Sequence, residues 1–420
     1  MIGSTTGSHT ERWLALRMAI TAIFTLAGYE SLRSSATVLL KTAYGSNILP
    51  IAMATTPVVT LIGLWAYGKL LTALGPRRTV VTTTLGFSLL IALLFVAIRS
   101  ALQPATLLLY WVKEFYIVLL IEQYWSYLNS KLSEPTARRL NGPITGVAGL
   151  GSIIGGWIVS MTAVPLGTET LLLIGAATLL PAAWLVNSTY RHFGEPAHFE
   201  KSPSVDQRSA LGWSLIRSDR RLASLLAVVL VTQMLSSLLE LKFQSLSSLA
   251  YVGRRDAETA FQGQYWFYLN SIALFSQFLL TPFLLTRFSL RQVHLLMPAI
   301  QLSAIGWALI APSLWSVGAA FMAFKTLDYS LFRGAKELVY LPLSFDGRYR
   351  TKELIDVFGY RSGKAIASLG IATLQRTGFE LTGFFLPAAF ALGALWMSLT
   401  LPMTSSHSMS SDNQTSANLR

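Results

Sequence analysis

The chain has 420 residues, 52% of them hydrophobic and only 13% charged, about half the ~25% charged share of a soluble domain. With a mean hydropathy of +0.50, that composition excludes a soluble globular domain and reads as an integral membrane protein. The absence of cysteine excludes disulfides, thiolate chemistry and Cys-based metal sites.

Twelve apolar runs follow one another, near 13–40, 48–71, 80–99, 104–130, 142–162, 168–189, 222–250, 264–286, 292–311, 313–341, 354–375 and 380–402. Each reaches or approaches the ~20 residues that cross ~30 Å of hydrocarbon as a helix. None shows the alternation of a transmembrane barrel. The first run is too long, and its amino-terminal flank too polar, for a cleavable signal, so it reads as an uncleaved anchor.

Taken in order, the first run carries Glu30 and Arg33, and the fourth carries Lys113, Glu114 and Glu122. The fifth opens GPITGVAGLGSIIGG at 142–156, whose pairs Gly142/Gly146 and Gly151/Gly155 are small-xxx-small spacings that let helices approach closely. After the sixth comes the one long polar segment, 190–221, with Pro196, Pro203 and six Lys or Arg. Within it, 204–221 fits a short surface helix, since Trp213, Leu215 and Ile216 alternate with Arg208, Arg217 and Arg220. The seventh run carries Glu240, the tenth Lys325, Asp328 and Lys336, and the eleventh Arg361 and Lys364. Trp111, Trp125, Trp266 and Trp315 read as interfacial or packing residues.

Basic residues fall at alternate connections, from Arg12 and Arg17 through Arg77 and Arg78, Lys131, Arg138 and Arg139, the run Arg191 to Arg221, Arg287 and Arg291, to Arg348, Arg350 and Lys352. By the positive-inside rule these connections and both termini face the cytoplasm of a bacterial inner membrane. The net charge of +13 is thereby explained by topology and lipid headgroups, and nucleic acid is not expected as a partner. The expected fold is all-α, a polytopic membrane protein of about twelve helices in two six-helix bundles of major facilitator type. Its parts are an amino-terminal bundle at 1–189, a cytoplasmic basic linker at 190–221, a carboxy-terminal bundle at 222–402 and a disordered cytoplasmic tail at 403–420.

A charge at bilayer depth costs about 2.5–3.5 kcal/mol even on a lenient scale, and normally faces a bundle interior, a partner or a water-filled path. Glu30–Arg33, Lys113–Glu114 and Lys325–Asp328 could each be locally compensated pairs. The set as a whole points to a transport path. Eleven residues of helix advance only ~20° net, so Lys325 and Lys336 lie nearly in line with Asp328 beside them, while Arg361 and Lys364 are i, i+3 neighbours. Counted along the helices, Arg361, Lys364 and Glu114 fall near mid-bilayer. Arg33 and Glu240 fall toward the outer side and Lys336 toward the cytoplasm, positions that suit gates.

At 329–364, YSLFRGAKELVYLPLSFDGRYRTKELIDVFGYRSGK resembles without a gap the best-marked stretch of the ATP/ADP translocase family of plastids and intracellular bacteria. WSYLN at 125–129 followed by Ala137, Arg138, Arg139 and Pro143, the pair Leu239 and Glu240 followed by Ala260, Phe261 and Gly263, and LRSSATVLL at 32–40 extend the likeness over most of the chain. The resemblance implies nucleotide transport, with critical charges at Arg33, Glu114, Glu240 and Lys336. The family's second first-helix cation is replaced by Ala36, and its Asp-Pro after Phe332 by Arg333-Gly334, which implies a ligand of lower phosphate charge than ATP.

The candidate substrate-binding set is therefore Arg33, Glu114, Glu240, Lys325, Asp328, Lys336, Arg361 and Lys364. The expected function is secondary active transport of a nucleotide or related organic anion by exchange, with no cofactor and no metal. The alternatives are proton-coupled transport of a non-nucleotide substrate and a transport-incompetent sensor or scaffold. A membrane-embedded enzyme is disfavoured, because the five histidines fall mostly in tails and loops and no HExxH, nucleophile elbow or phosphate-binding glycine loop occurs.

Overall fold

The computed structural model describes residues 3–196, 213–340, 351–352, 354–378, 381 and 383–404. Among them every regular element is helical: α1 Gly3–Tyr44, α2 Leu49–Arg99, α3 Pro104–Lys131, α4 Glu134–Leu166, α5 Thr170–Phe193, α6 Arg220–Ala250, α7 Arg255–Phe275, α8 Leu290–Ile310, α9 Leu314–Leu327, α10 Tyr360–Arg376 and α11 Phe385–Met403. A π turn at Ser276–Leu280 continues α7 into Thr281–Arg287, and another at Asp328–Phe332 continues α9 into Arg333–Tyr340. A third, Leu354–Gly359, leads into α10.

α2 is two spans. Gly75, at φ 75° and ψ 168°, breaks it, and Pro76 begins the returning arm. Glycine tolerates that left-handed φ at a helix end and proline suits a first helical turn, so the chain reverses here without a loop. The basic pair Arg77 and Arg78, expected in a connection, sits in the first turn of the returning arm. Counting both arms, twelve spans alternate in direction. Eight segments are long and apolar enough to cross a membrane, the 54-residue Ser46–Arg99 among them. α1, α9 and α10 are not among the eight, the last two having regular stretches of only 14 and 17 residues beside their π turns.

The packing makes two bundles. α1 packs on α3, α4 and α5, and α2 on α3 and α5; in the second half α6 packs on α9, α10 and α11, and α8 on α9 and α11. The halves meet where α4 lies on α7, α2 on α10 and α1 on α7. Fifth span on eighth and second on eleventh exchange with each other when the halves are swapped, the pseudo-symmetry of a doubled bundle. Burial is that of a membrane protein: Leu61, Ile62, Trp65 and Trp184 point outward while Thr232, Gln233, Ser236, Ser237 and Gln244 of α6 are buried.

Gly151 and Gly155 seat α4 on α1, since a Cβ at either would stand 2.5 Å from the Ile23 carbonyl or 2.6 Å from that of Ala27. The other glycine pair behaves differently. Gly146 faces the ring of Phe278 on the π turn of α7, whereas Gly142 meets nothing within 4 Å. Of the surface helix expected over 204–221, residues 213–218 are helical with Ile216 buried, and 204–212 lie outside the described residues, as does the tail beyond 404.

Candidate functional site

The alternating spans place Arg12, Arg17, Arg77, Lys131, Arg191, Arg220 and Arg287 at one end, the basic face, and the end of α1 at the opposite face. Measured from that opposite face, Arg33 is eleven residues short of Tyr44, Glu114 ten beyond Pro104, Glu240 ten short of Ala250, Lys325 eleven beyond Leu314 and Lys364 twelve short of Arg376. At ~1.5 Å per residue all five lie ~15–18 Å deep, in one layer. Sequence counting had set Glu240 and Arg33 apart as outer gates. Counting every span from this one face, with α1 running on to Tyr44, brings them level with Glu114 and Lys364 instead.

In this layer a cavity of about 190 Å³ lies between the halves, with Glu114, Glu240, Arg361 and Lys364 on its wall beside Thr56, Thr60, Tyr110, Gln233 and Tyr360. Glu114 accepts from the neighbouring Lys113 at 2.7 Å and Glu240 lies 3.6 Å from Lys364. Beyond these pairs, Glu240 also faces the charges of Lys325, Lys113 and Arg33. Desolvated ions hold such positions only when paired, and here each carboxylate has its cation.

Arg33 stands at the edge of the layer. Its guanidinium meets Glu30 at 3.0 Å and lies 3.2 Å from the ring centroid of Trp266, while Asn270 of α7 donates to Glu30 at 3.1 Å. Trp266, expected as an interfacial or packing residue, is thus a buried partner of Arg33 across the bundle interface.

The expected alignment of Lys325, Asp328 and Lys336 fails because the π turn Asp328–Phe332 inserts between the two lysines. Lys325 points among Phe321, Phe324 and Tyr329, at 5.6, 5.9 and 5.6 Å from the ring centroids. Asp328 forms no salt bridge with it among the described residues and accepts from Tyr360 at 3.0 Å. Lys336 lies further toward the basic face and binds Asp356 at 2.7 Å, where Tyr340 also donates at 3.3 Å. These links join α9 to the π turn before α10 and keep Lys336 off the cavity wall. π turns inside α-helices frequently mark functional sites, and Ser276 and Ser330, 3.0 Å apart, connect two of them.

The sequence reading missed a cluster at the opposite face. Lys41, 5% exposed, reaches from α1 across the interface to Glu258 of α7 at 2.5 Å and to the side chain of Gln244 on α6 at 2.7 Å. Ser247 donates to Glu258 at 2.8 Å, and Gln262 donates to Gln244 and Ser247 at 3.1 and 3.2 Å. Three more links span the halves beside it: Arg255 to Glu169 at 2.7 Å, and the Thr168 hydroxyl to Asp256 at 2.6 Å and to the Thr259 hydroxyl at 2.9 Å. At the basic face, by contrast, no ion pair among the described residues joins the halves. Arg17 to Ser188 at 2.6 Å and Lys131 to the Glu195 carbonyl at 2.8 Å stay in the first half, and Lys352 to Glu337 at 2.6 Å in the second. Lys41 escaped notice because it falls just past the run 13–40, where a lysine reads as a flanking charge. The signal available was its match to Glu258 at the same end of another span.

No family model matches the chain, and no curated protein matches it in sequence. Solved structures do resemble it. A bacterial homologue of the iron transporter ferroportin in an inward-facing state superposes with a TM-score of 0.68 at 14% identity, covering 94% of this chain and 99% of that one. A mutant of the nucleoside transporter NupG gives 0.66 at 14% identity over 92% and 99%, and a D-xylose–proton symporter 0.64 at 12% over 93% and 98%. At such identities the likeness is one of fold: this chain is an all-α, multi-pass membrane protein that shares the fold of these solved structures.

Proposed function

We propose that the protein is a secondary transporter that moves a nucleotide or related organic anion between the two bundles by alternating access. One observation carries the reading: charges from both halves, Glu114 with Lys113 and Glu240 with Lys364, converge on a single cavity at mid-depth. A purely structural bundle has little reason to bury so many ions around a void. The resemblance of 329–364 to the ATP/ADP translocases favours a nucleotide-type ligand, and the fold is shared with a nucleoside transporter. In this reading 1–189 and 222–402 are the rocking bundles, 190–221 links them in the cytoplasm, and Arg33, Glu114, Glu240, Lys325, Arg361 and Lys364 serve the path. Asp328 and Lys336 act through α10, which they hold beside the cavity.

Proton coupling is the second reading, favoured by the two carboxylates on the cavity wall, since a carboxylate that parts from its cation in a poorly hydrated site favours its neutral form. The purified protein in liposomes tests both. Uptake of labelled nucleotides and organic phosphates accelerated by internal substrate supports exchange, and uptake driven by a pH gradient supports symport. Binding without uptake under every gradient would leave a sensor or scaffold.

A further inference from the structure

Two groups on the cavity wall take no part in the pairs above. Gln233 of α6 is 2% exposed, and its Nε2 has no hydrogen-bond partner among the described residues. Buried donors in folded proteins are nearly always satisfied, so an unpaired one on a residue that lines a cavity marks a place where an acceptor from outside could complete the site. Its stem is held. Gly363 of α10 lets the two helices touch so closely that a Cβ there would stand 2.8 Å from the Gln233 Cβ and 2.7 Å from the Leu230 carbonyl.

Arg361, two residues from Gly363, lines the same cavity and forms no salt bridge among the described residues. The carboxylate it faces electrostatically is Glu122 of α3, an exposed residue. Lys364 is already met by Glu240 at 3.6 Å, and Glu114 by Lys113 at 2.7 Å. Of the cations on the wall, Arg361 alone is left over among the described residues. Its guanidinium offers a planar fork suited to two oxygens of one oxyanion, and the Gln233 amide adds a donor at the same seam.

We propose that Arg361 and Gln233 form the anion receptor of the path, and that it takes a phosphate monoester with a single phosphate group. The inference rests on the anion-transport reading and narrows it. A polyphosphate would bring several charges to a wall with one free cation among the described residues, and each further charge would have to break a pair already made. The neutral body of the ligand would lie against Tyr110, Tyr360, Thr56 and Thr60.

The test uses the full-length protein in detergent and in liposomes, with AMP, UMP, glycerol 3-phosphate and ATP as probes. At least one monoester should raise the melting temperature and be taken up, with ATP at least tenfold weaker. Gln233→Met, which keeps the bulk and removes the donor, should weaken that monoester about tenfold or more, as loss of a bond to a charged group does. Arg361→Lys, which loses the fork, should do likewise. Without ligand, Gln233→Met should melt no lower than the wild type, because it removes an unsatisfied buried amide. ATP bound as tightly as the monoesters, wild-type affinity in both variants, or a markedly lower melting temperature in Gln233→Met would each overturn the receptor while leaving anion transport standing. If none of the four probes binds or is taken up, the receptor and the anion reading fall together.

Discussion

Removal of the Lys41 charge should open the face it seals. Lys41→Met keeps most of the stem and leaves Glu258, 5% exposed, buried with Ser247 as its remaining hydrogen-bond donor. Breaking a buried pair by deleting one partner costs about 3–5 kcal/mol, because the other charge stays desolvated. That penalty falls on the closed state alone, since in the opened state water reaches Glu258. Arg255–Glu169 remains, but Arg255 is 35% exposed, and such a pair is worth under about 1 kcal/mol. A loss of about 3 kcal/mol would carry a closed-to-open ratio of about 99:1 close to parity.

The chain has no cysteine, so spin labels at Leu102→Cys and Ile310→Cys, exposed on that face in opposite halves, would report the opening without background. Pulsed dipolar spectroscopy should show one distance in the parent and a second, longer population in Lys41→Met. Adding Glu258→Gln should reduce that population, because no charge is then left buried. An unchanged distance distribution in Lys41→Met would refute the reasoning, as would a double variant more open than the single.

Other consequences follow for the interior. Lys336→Met should slow uptake, and the double variant with Asp356→Asn should recover part of the loss, because the carboxylate that the single variant leaves unpaired is then gone; a double variant no better than the single would mean that Lys336 touches substrate. If protons are coupled, Glu114→Gln should retain exchange in liposomes yet lose accumulation driven by a pH gradient, whereas a carboxylate serving only as a gate would lose both together. Gly155→Leu should unseat α4 from α1, whose Ala27 carbonyl stands 2.6 Å from the nearest position of a Cβ, and lower the melting temperature by several degrees; a wild-type melting curve would show that the seam yields.

The spans were legible because a bilayer demands long apolar helices, and charges inside them stand out against that background. The π turns were not, since their extra residue leaves hydropathy unchanged while rotating everything after it; for that reason the alignment of Lys325 with Lys336 failed. Depth was misjudged for Arg33 because α1 runs on to Tyr44, past the apolar run 13–40, and for Glu240 because it was set against the middle of a long run and not counted from the outer end that all the spans share. Position 36 is instructive too. A lysine there appeared to belong to the path, yet Ala36 is buried in the apolar core of the first bundle with Leu32, Leu39 and Phe87. The buried lysine of α1 is Lys41, and it serves the seal.

If the halves rock as proposed, the placement of the pairs fixes which contacts that motion would break. Lys113–Glu114 lies wholly in the first bundle, and Lys364–Glu240, Lys336–Asp356 and Tyr360–Asp328 wholly in the second. Rocking one bundle against the other therefore breaks none of these, and their buried charges stay compensated throughout. Among the described residues, the polar links that would part if the opposite face opened are Lys41 with Glu258 and Gln244, Arg255 with Glu169, and Thr168 with Asp256 and Thr259. Between seal and cavity, the stack of Arg33 on Trp266 and the bond from Asn270 to Glu30 cross the same interface. Arg33 keeps Glu30 as its partner on its own helix, so it can let go of Trp266 without being left as a bare charge. A ligand held by Arg361 and Gln233 on one side and by Thr56 and Thr60 on the other would bridge the bundles where no ion pair among the described residues does. Its binding energy then acts on the bundle interface, which is how a substrate can bias the equilibrium between the two faces.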